Sequence, residues 1–182
     1  GFLTEDEIQA LSTISLDNPN FALARDLFLF GCWTGISFTD IKNLTTDNIV
    51  EMNGASWIVS KRQKTGVPFQ IKLMDIPMQI IRRYEPFRRD KRLFNIGSLD
   101  MVNKRIKAVA KKCGIEKPVS FHLSRHSFAV LALNYGMPIE SVSKILGHTN
   151  ITTTQIYAKV TNAKLENDIS AFESKISGRF VL

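Results

Sequence analysis

Three short runs rich in β-branched residues, at positions 48–52, 56–60 and 68–73, interrupt a chain whose apolar residues otherwise recur at helical spacing. Asn53-Gly54 separates the first two runs, and a Lys64-Thr65-Gly66 turn precedes the third. Asn-Gly supplies the positive backbone angles that a tight hairpin turn needs, so the runs predict three antiparallel strands joined by hairpins. A sheet this small cannot enclose a core alone and must pack against helices.

The flanking segments supply those helices. Thr4 and Glu7 form a capping-box pattern, and Ile8, Leu11 and Ile14 then fall on one face. A second helix is predicted over about 20–34, where Leu23, Leu27, Phe28, Phe30 and Trp33 make it almost wholly apolar and therefore central. After Gly35 a short helix is expected over 39–44. Helical periodicity returns at 76–85, 98–113, 122–135, 138–146 and 158–175, with Ser98 at an N-cap and Gly114, Gly136 and Gly147 where helices end. The expected fold class is mainly α with a small three-stranded antiparallel sheet, in one domain of 182 residues without a linker.

Composition narrows the function. The formal net charge of +7 favours an anionic partner, nucleic acid foremost. No apolar run reaches the roughly 18 residues that span a bilayer, so no membrane association is expected. The first residues turn acidic at once, and no signal peptide is expected; the missing initiator Met reads as a fragment of something longer. Cys32 and Cys113 lie far apart, outside any ligand spacing, and read as core thiols in a reducing, cytoplasmic compartment.

The histidines carry the chemistry. There are three, His122, His126 and His148. His122 and Arg125, three apart at a helix start, share a face; an arginine fork and an imidazole aimed the same way suit a phosphate. His126 reads as a structural residue packed on its own helix. Leu146-Gly147-His148 follows, then Tyr157 nine residues later. A tyrosine can attack a phosphodiester and keep its bond energy in a phosphotyrosine, but its phenol, with an ordinary pKa near 10, needs a base or strong polarisation of the phosphate.

In this order, His122-Leu-Ser-Arg125, Leu146-Gly147-His148 and Tyr157 resemble the tyrosine recombinase, or phage integrase, family over about residues 4–175. The family also uses a hairpin lysine, matched here by Lys64. The resemblance implies a tyrosine recombinase catalytic-domain fold and DNA cleavage and rejoining through a 3′-phosphotyrosine. It gives Tyr157 the attack, Arg125 and His148 the phosphate charge, His122 the phenol proton and Lys64 the leaving 5′-oxygen. No metal and no cofactor are implied. Core-binding and arm-binding domains would precede this chain in the whole protein. The partners implied are double-stranded DNA and, on it, three further copies in a homotetramer, with this fragment a monomer in solution. The tail, about 158–182, would dock onto a neighbouring copy.

One departure stands out. The family places a first arginine shortly after Thr-Gly, whereas Thr34-Gly35-Ile36 is followed by Ser37, a variant similar to integrases of mobile elements in Bacteroidetes-type bacteria. Ser37 reads equally as a phosphate contact and as a helix N-cap with Asp40 three residues on. Arg25, a lone cation in an apolar helix, is the first candidate to replace the missing arginine, with Arg62 and Lys61 behind it. Arg82, Arg83, Arg88 and Arg89, and later Lys104, Arg105 and Lys107, are candidates for the DNA backbone. Two rivals stay open: a type IB topoisomerase, which shares the chemistry, and a non-catalytic DNA-binding module using a helix–turn–helix-like segment at 139–156.

Overall fold

The computed structural model describes residues 1–158 and 162–181, apart from the side chains of Asn162 and Ala163. Nine α-helices and three strands are described, in the order α1 (Glu5–Thr13), α2 (Pro19–Thr34), α3 (Phe38–Asn43), β1 (Ile49–Met52), β2 (Ala55–Lys61), β3 (Pro68–Lys72), α4 (Asp75–Tyr84), α5 (Leu99–Lys112), α6 (His122–Asn134), α7 (Ile139–Ile145), α8 (Thr152–Gln155) and α9 (Asn162–Ile176). The mainly helical class with one small sheet is as expected.

Helix α2 is the axis of the core. Leu27, Phe28 and Phe30 are 1% exposed or less, and α2 packs against α1, α4, α5 and α6. Phe28 meets Phe121 edge-on at 6.0 Å between ring centroids, and Phe38 of α3 meets Phe121 at 5.2 Å. Buried rings of this size each stabilise the fold by about 2–3 kcal/mol through area alone. Helices α2 and α6 approach closely at Gly31, where a Cβ would stand 2.9 Å from Ser124 Cβ.

The sheet is an antiparallel meander, β1-β2-β3, with Ile58 paired to both Ile49 and Ile71. Phe69 and Ile71 face the core while Pro68, Gln70 and Lys72 face out, the period-two alternation of a half-covered sheet. Asn53 and Gly54 both take positive φ, 52° and 76°, as the hairpin reading requires.

Three details differ from expectation. A single-turn helix, α8, follows His148; at four residues it is too short to serve as a groove-reading helix, so the helix–turn–helix-like segment does not form one. The last helix is described from Asn162, not from 158; positions 159–161 of that expected segment lie outside the described residues. Arg25 is not a lone cation: its Nε donates to Asp26 Oδ1 at 2.7 Å and its Nη1 to the carbonyls of Leu11 and Ile14, each at 3.0 Å.

Candidate active site

The site forms where α2, α3, α6, α7, α8 and the β2–β3 hairpin converge. Helix α6 starts at His122 because Asn103 of α5 accepts the Phe121 N–H at 2.8 Å and fixes the chain there. One turn on, Arg125 points inward and is 7% exposed. Its Nη1 donates to Gly35 O at 2.7 Å, and its Nη2 donates to Leu146 O. Those carbonyls end α2 and α7, so two helix C-termini hold one guanidinium, as their partial negative charge favours. Burial, then the neighbouring Arg62, pull the Arg125 pKa down to about 10, so it remains charged at neutral pH.

His148 follows Gly147, whose φ of +68° closes α7. Its Nε2 lies 3.4 Å from Arg125 Nη2 and its Nδ1 lies 2.7 Å from Thr154 Oγ1. Burial first, then Arg125 and Arg62, depress its pKa to about 4, so the ring is neutral at pH 7. His122 is exposed, and its pKa is lowered by burial of its ring atoms, then by His126, Arg125, Arg62 and Lys64.

Tyr157 sits one turn after Thr154, its N–H bonded to Thr154 O at 3.1 Å. The ring is half-buried; burial raises the phenol pKa and the charge of Arg125 lowers it. His126, read from the sequence as packed on its own helix, lies between the two, edge-on to His122 at 4.4 Å between ring centroids and tilted against Tyr157 at 5.3 Å.

The hairpin brings cations to the same place. Arg62 packs over Gly147, where a Cβ would fall 2.8 Å from Arg62 Cδ. Its Nε is buried without a hydrogen-bond partner among the described residues, its counter-charge being Asp40 Oδ2 at 3.9 Å. Lys64 is exposed on the turn and close enough to His122 to act on its charge. Asp40, buried at 6% exposure, accepts the Gln63 N–H at 2.8 Å and the Ser37 hydroxyl at 2.8 Å, so it ties the hairpin to α3. Ser37 caps α3, its Oγ also accepting the Asp40 N–H at 3.4 Å.

Thus His122, Arg125, His148, Lys64 and Tyr157 come together, with Ser37 beside them through Gly35 and Asp40. Arg25 does not join them, since its guanidinium closes α1, whereas Arg62, ranked behind it from the sequence, lies beside them over Gly147. Among the candidates for the DNA backbone, Arg82, Arg89, Lys104 and Lys107 are exposed, while Arg88 and Arg105 are half-buried. Arg83 is committed to Asp26, 2.9 Å away. Asp40, Asn103 and Thr154 went unnoticed as site residues in the sequence; Asp40 was visible only as a capping partner.

This arrangement can grip a tetrahedral oxyanion with the guanidinium groups and imidazoles while a phenol approaches it. The chain is 39% identical over 188 residues to the tyrosine recombinase XerD of Halalkalibacterium halodurans, covering 95% of this chain and 62% of that protein. It is 30% identical over 153 residues to XerD of Listeria innocua, covering 78% and 52%. It therefore spans about half to three-fifths of the length of these relatives. Among solved structures, the fold is similar to the XerA recombinase (TM-score 0.72, 22% identity, 99% of this chain and 65% of that one). It is also similar to the catalytic domain of bacteriophage HP1 integrase (TM-score 0.68, 22% identity, 93% and 94%). The fold is thus that of tyrosine recombinase catalytic domains. The phage integrase family profile matches residues 1–164, and the chain belongs to that family.

Proposed function

We propose that this chain is the catalytic domain of a tyrosine site-specific DNA recombinase. The observation that carries the reading is the electrostatic proximity of Tyr157 to Arg125, whose guanidinium also meets His148, with His122, Lys64 and Arg62 around them. Tyr157 Oη attacks the scissile phosphorus of double-stranded DNA. An Oη–P bond forms, the P–O5′ bond breaks, His122 takes the phenol proton and Lys64 delivers one to the 5′-oxygen. Arg125, His148 and Arg62 stabilise the charge that develops on the phosphate. Arg62, rather than Arg25, supplies the missing guanidinium. Rejoining is the reverse step with a new 5′-hydroxyl, and no cofactor enters.

The whole protein holds DNA through further N-terminal domains, with Arg82, Arg89, Lys104 and Lys107 meeting the backbone in a salt-dependent way. It works in the bacterial cytoplasm as a homotetramer on DNA, and this domain alone is a monomer. The exposed Leu165, Ile169 and Phe172 of α9, spaced four and three apart, form an apolar stripe suited to docking on a neighbouring copy. Among the described residues no helix is long and apolar enough to cross a membrane.

The test is a nicked suicide duplex, drawn from a library randomised around the nick, incubated with the protein and with Tyr157→Phe. A covalent protein–DNA band that is lost in the variant supports the reading. Binding without any band favours the non-catalytic module, which the serine at position 37 would then mark. Relaxation of supercoiled DNA without exchange between two sites favours the topoisomerase.

A further inference from the structure

Thr154 is fully buried, at 0% exposure, and its hydroxyl lies 2.7 Å from His148 Nδ1. The opposite ring nitrogen, Nε2, lies 3.4 Å from Arg125 Nη2. An arginine nitrogen only donates, so Nε2 must accept there. A neutral imidazole accepting at Nε2 carries its hydrogen on Nδ1, and Thr154 Oγ1 must then accept. This assignment belongs to the free protein.

An oxyanion in the site reverses the demand. The anion becomes the acceptor for the Arg125 Nη2 hydrogen in place of His148, and His148 is useful to an anion only if Nε2 also donates. Without a gain in charge, Nδ1 must then accept, and its partner must donate. A hydroxyl rotates to do either; a carbonyl or a carboxylate cannot.

We propose that Thr154 is the positioning residue of His148. Its hydroxyl accepts from Nδ1 in the free protein and donates to Nδ1 when a phosphate occupies the site, so that Nε2 presents its hydrogen to the phosphate. The ring's proton count is unchanged: the Nδ1 proton leaves to solvent and one arrives at Nε2. The same residue accepts the Tyr157 N–H on its backbone carbonyl at 3.1 Å, so one turn of α8 sets both the imidazole and the nucleophile. The proposal rests on the reading of this cluster as a phosphate site.

The experiment is long-range proton–nitrogen NMR of the His148 ring in this chain, in Thr154→Val and in Thr154→Ser, free and with orthovanadate. The expected result is Nδ1–H in the free wild type and Nε2–H with vanadate. Thr154→Ser should behave alike, and Thr154→Val, which keeps the shape, should populate both tautomers in each state. Covalent-adduct formation on a suicide duplex should slow on the order of tenfold in Thr154→Val and recover in Thr154→Ser, with DNA affinity unchanged, the size expected for an outer residue that orients a reacting group. A Thr154→Val ring identical to wild type in both states overturns the proposal. So does a wild-type His148 that binds vanadate as the imidazolium or keeps its free tautomer. Vanadate that shifts neither Arg125 nor His148 overturns the phosphate-site reading and this proposal together. A tautomer exchange without any adduct from the wild type upholds Thr154 and overturns only the cleavage reading.

Discussion

His126 and Tyr157 face each other across the site with their ring centroids 5.3 Å apart and their planes tilted by 55°. The imidazole is also tied to the start of the chain, its Nδ1 3.3 Å from Gly1 O, so it forms a fixed shelf beneath the phenol. Removing the shelf should free Tyr157, the proposed nucleophile, to sample unproductive rotamers. His126→Ala should slow single-turnover adduct formation by roughly tenfold while leaving DNA affinity intact, and His126→Phe, which keeps a ring, should recover most of it. Quenched-flow cleavage of a suicide duplex makes the comparison; equal rates in the alanine variant and the wild type would remove the shelf from the mechanism.

On the proposed reading, Arg62 serves catalysis and Arg25 serves folding. Arg62→Ala should lower the cleavage rate by about 10²–10³, the size of one lost charge-stabilising donor, with little change in thermal midpoint. Arg25→Ala should do the reverse. It leaves the Leu11 and Ile14 carbonyls without their donor and takes one cation from the buried Asp26, which keeps Arg83 and Tyr84, costing about 1–3 kcal/mol of stability. Paired denaturation curves and cleavage rates decide both, and a stable Arg25→Ala that cleaves slowly would restore Arg25 to the site.

Gly31→Ala tests the seam between α2 and α6. A Cβ there would stand 2.9 Å from Ser124 Cβ, and both helices are pinned by the core on their other faces. Overpacking of this kind costs about 1–3 kcal/mol. Because Arg125 follows Ser124 directly, the variant should lose cleavage as well as stability at the assay temperature. A denaturation midpoint matching the wild type would mean the seam can open.

Acidity should destabilise the fold through His148. Its folded pKa, about 4, lies below the ordinary histidine value, so the unfolded chain takes up a proton before the folded one does. Its contribution is therefore fully present above about pH 6.5 and is lost progressively as pH falls toward 4. His122 and His126 are depressed in the same direction. Urea midpoints measured from pH 7 to pH 4.5 should fall, and His148→Gln should flatten the slope. A parallel slope in that variant would assign the dependence to other groups.

Much of this architecture is written locally. The hairpin at Asn53 and Gly54 and the helix ends at Gly35 and Gly147 follow from backbone angles that few other residues adopt. The set His122, Arg125, His148 and Tyr157 was legible because its order and spacing resemble the family's motif. What escaped is tertiary. Arg25 looked unpartnered because the carbonyls it serves belong to another helix, eleven and fourteen residues away. Asp40 read as one half of a cap, since nothing near it in sequence announces the Gln63 N–H across the site. Helix α8 is a single turn of threonines and glutamine, too brief for any apolar period to mark it.

The bond between Ser37 and Asp40 bears on how such a site can change over time. The hydroxyl donates to the carboxylate that also holds Gln63 and balances Arg62. Putting an arginine back at position 37 would remove the cap of α3, bring a second cation to Asp40 and draw that carboxylate away from the hairpin. Two guanidinium groups, at 37 and 62, would then compete for the one Asp40 carboxylate. A change at position 37 therefore acts on α3, on Asp40 and on the hairpin at once, and a compensating change at position 62 would be needed to leave Asp40 with one cation.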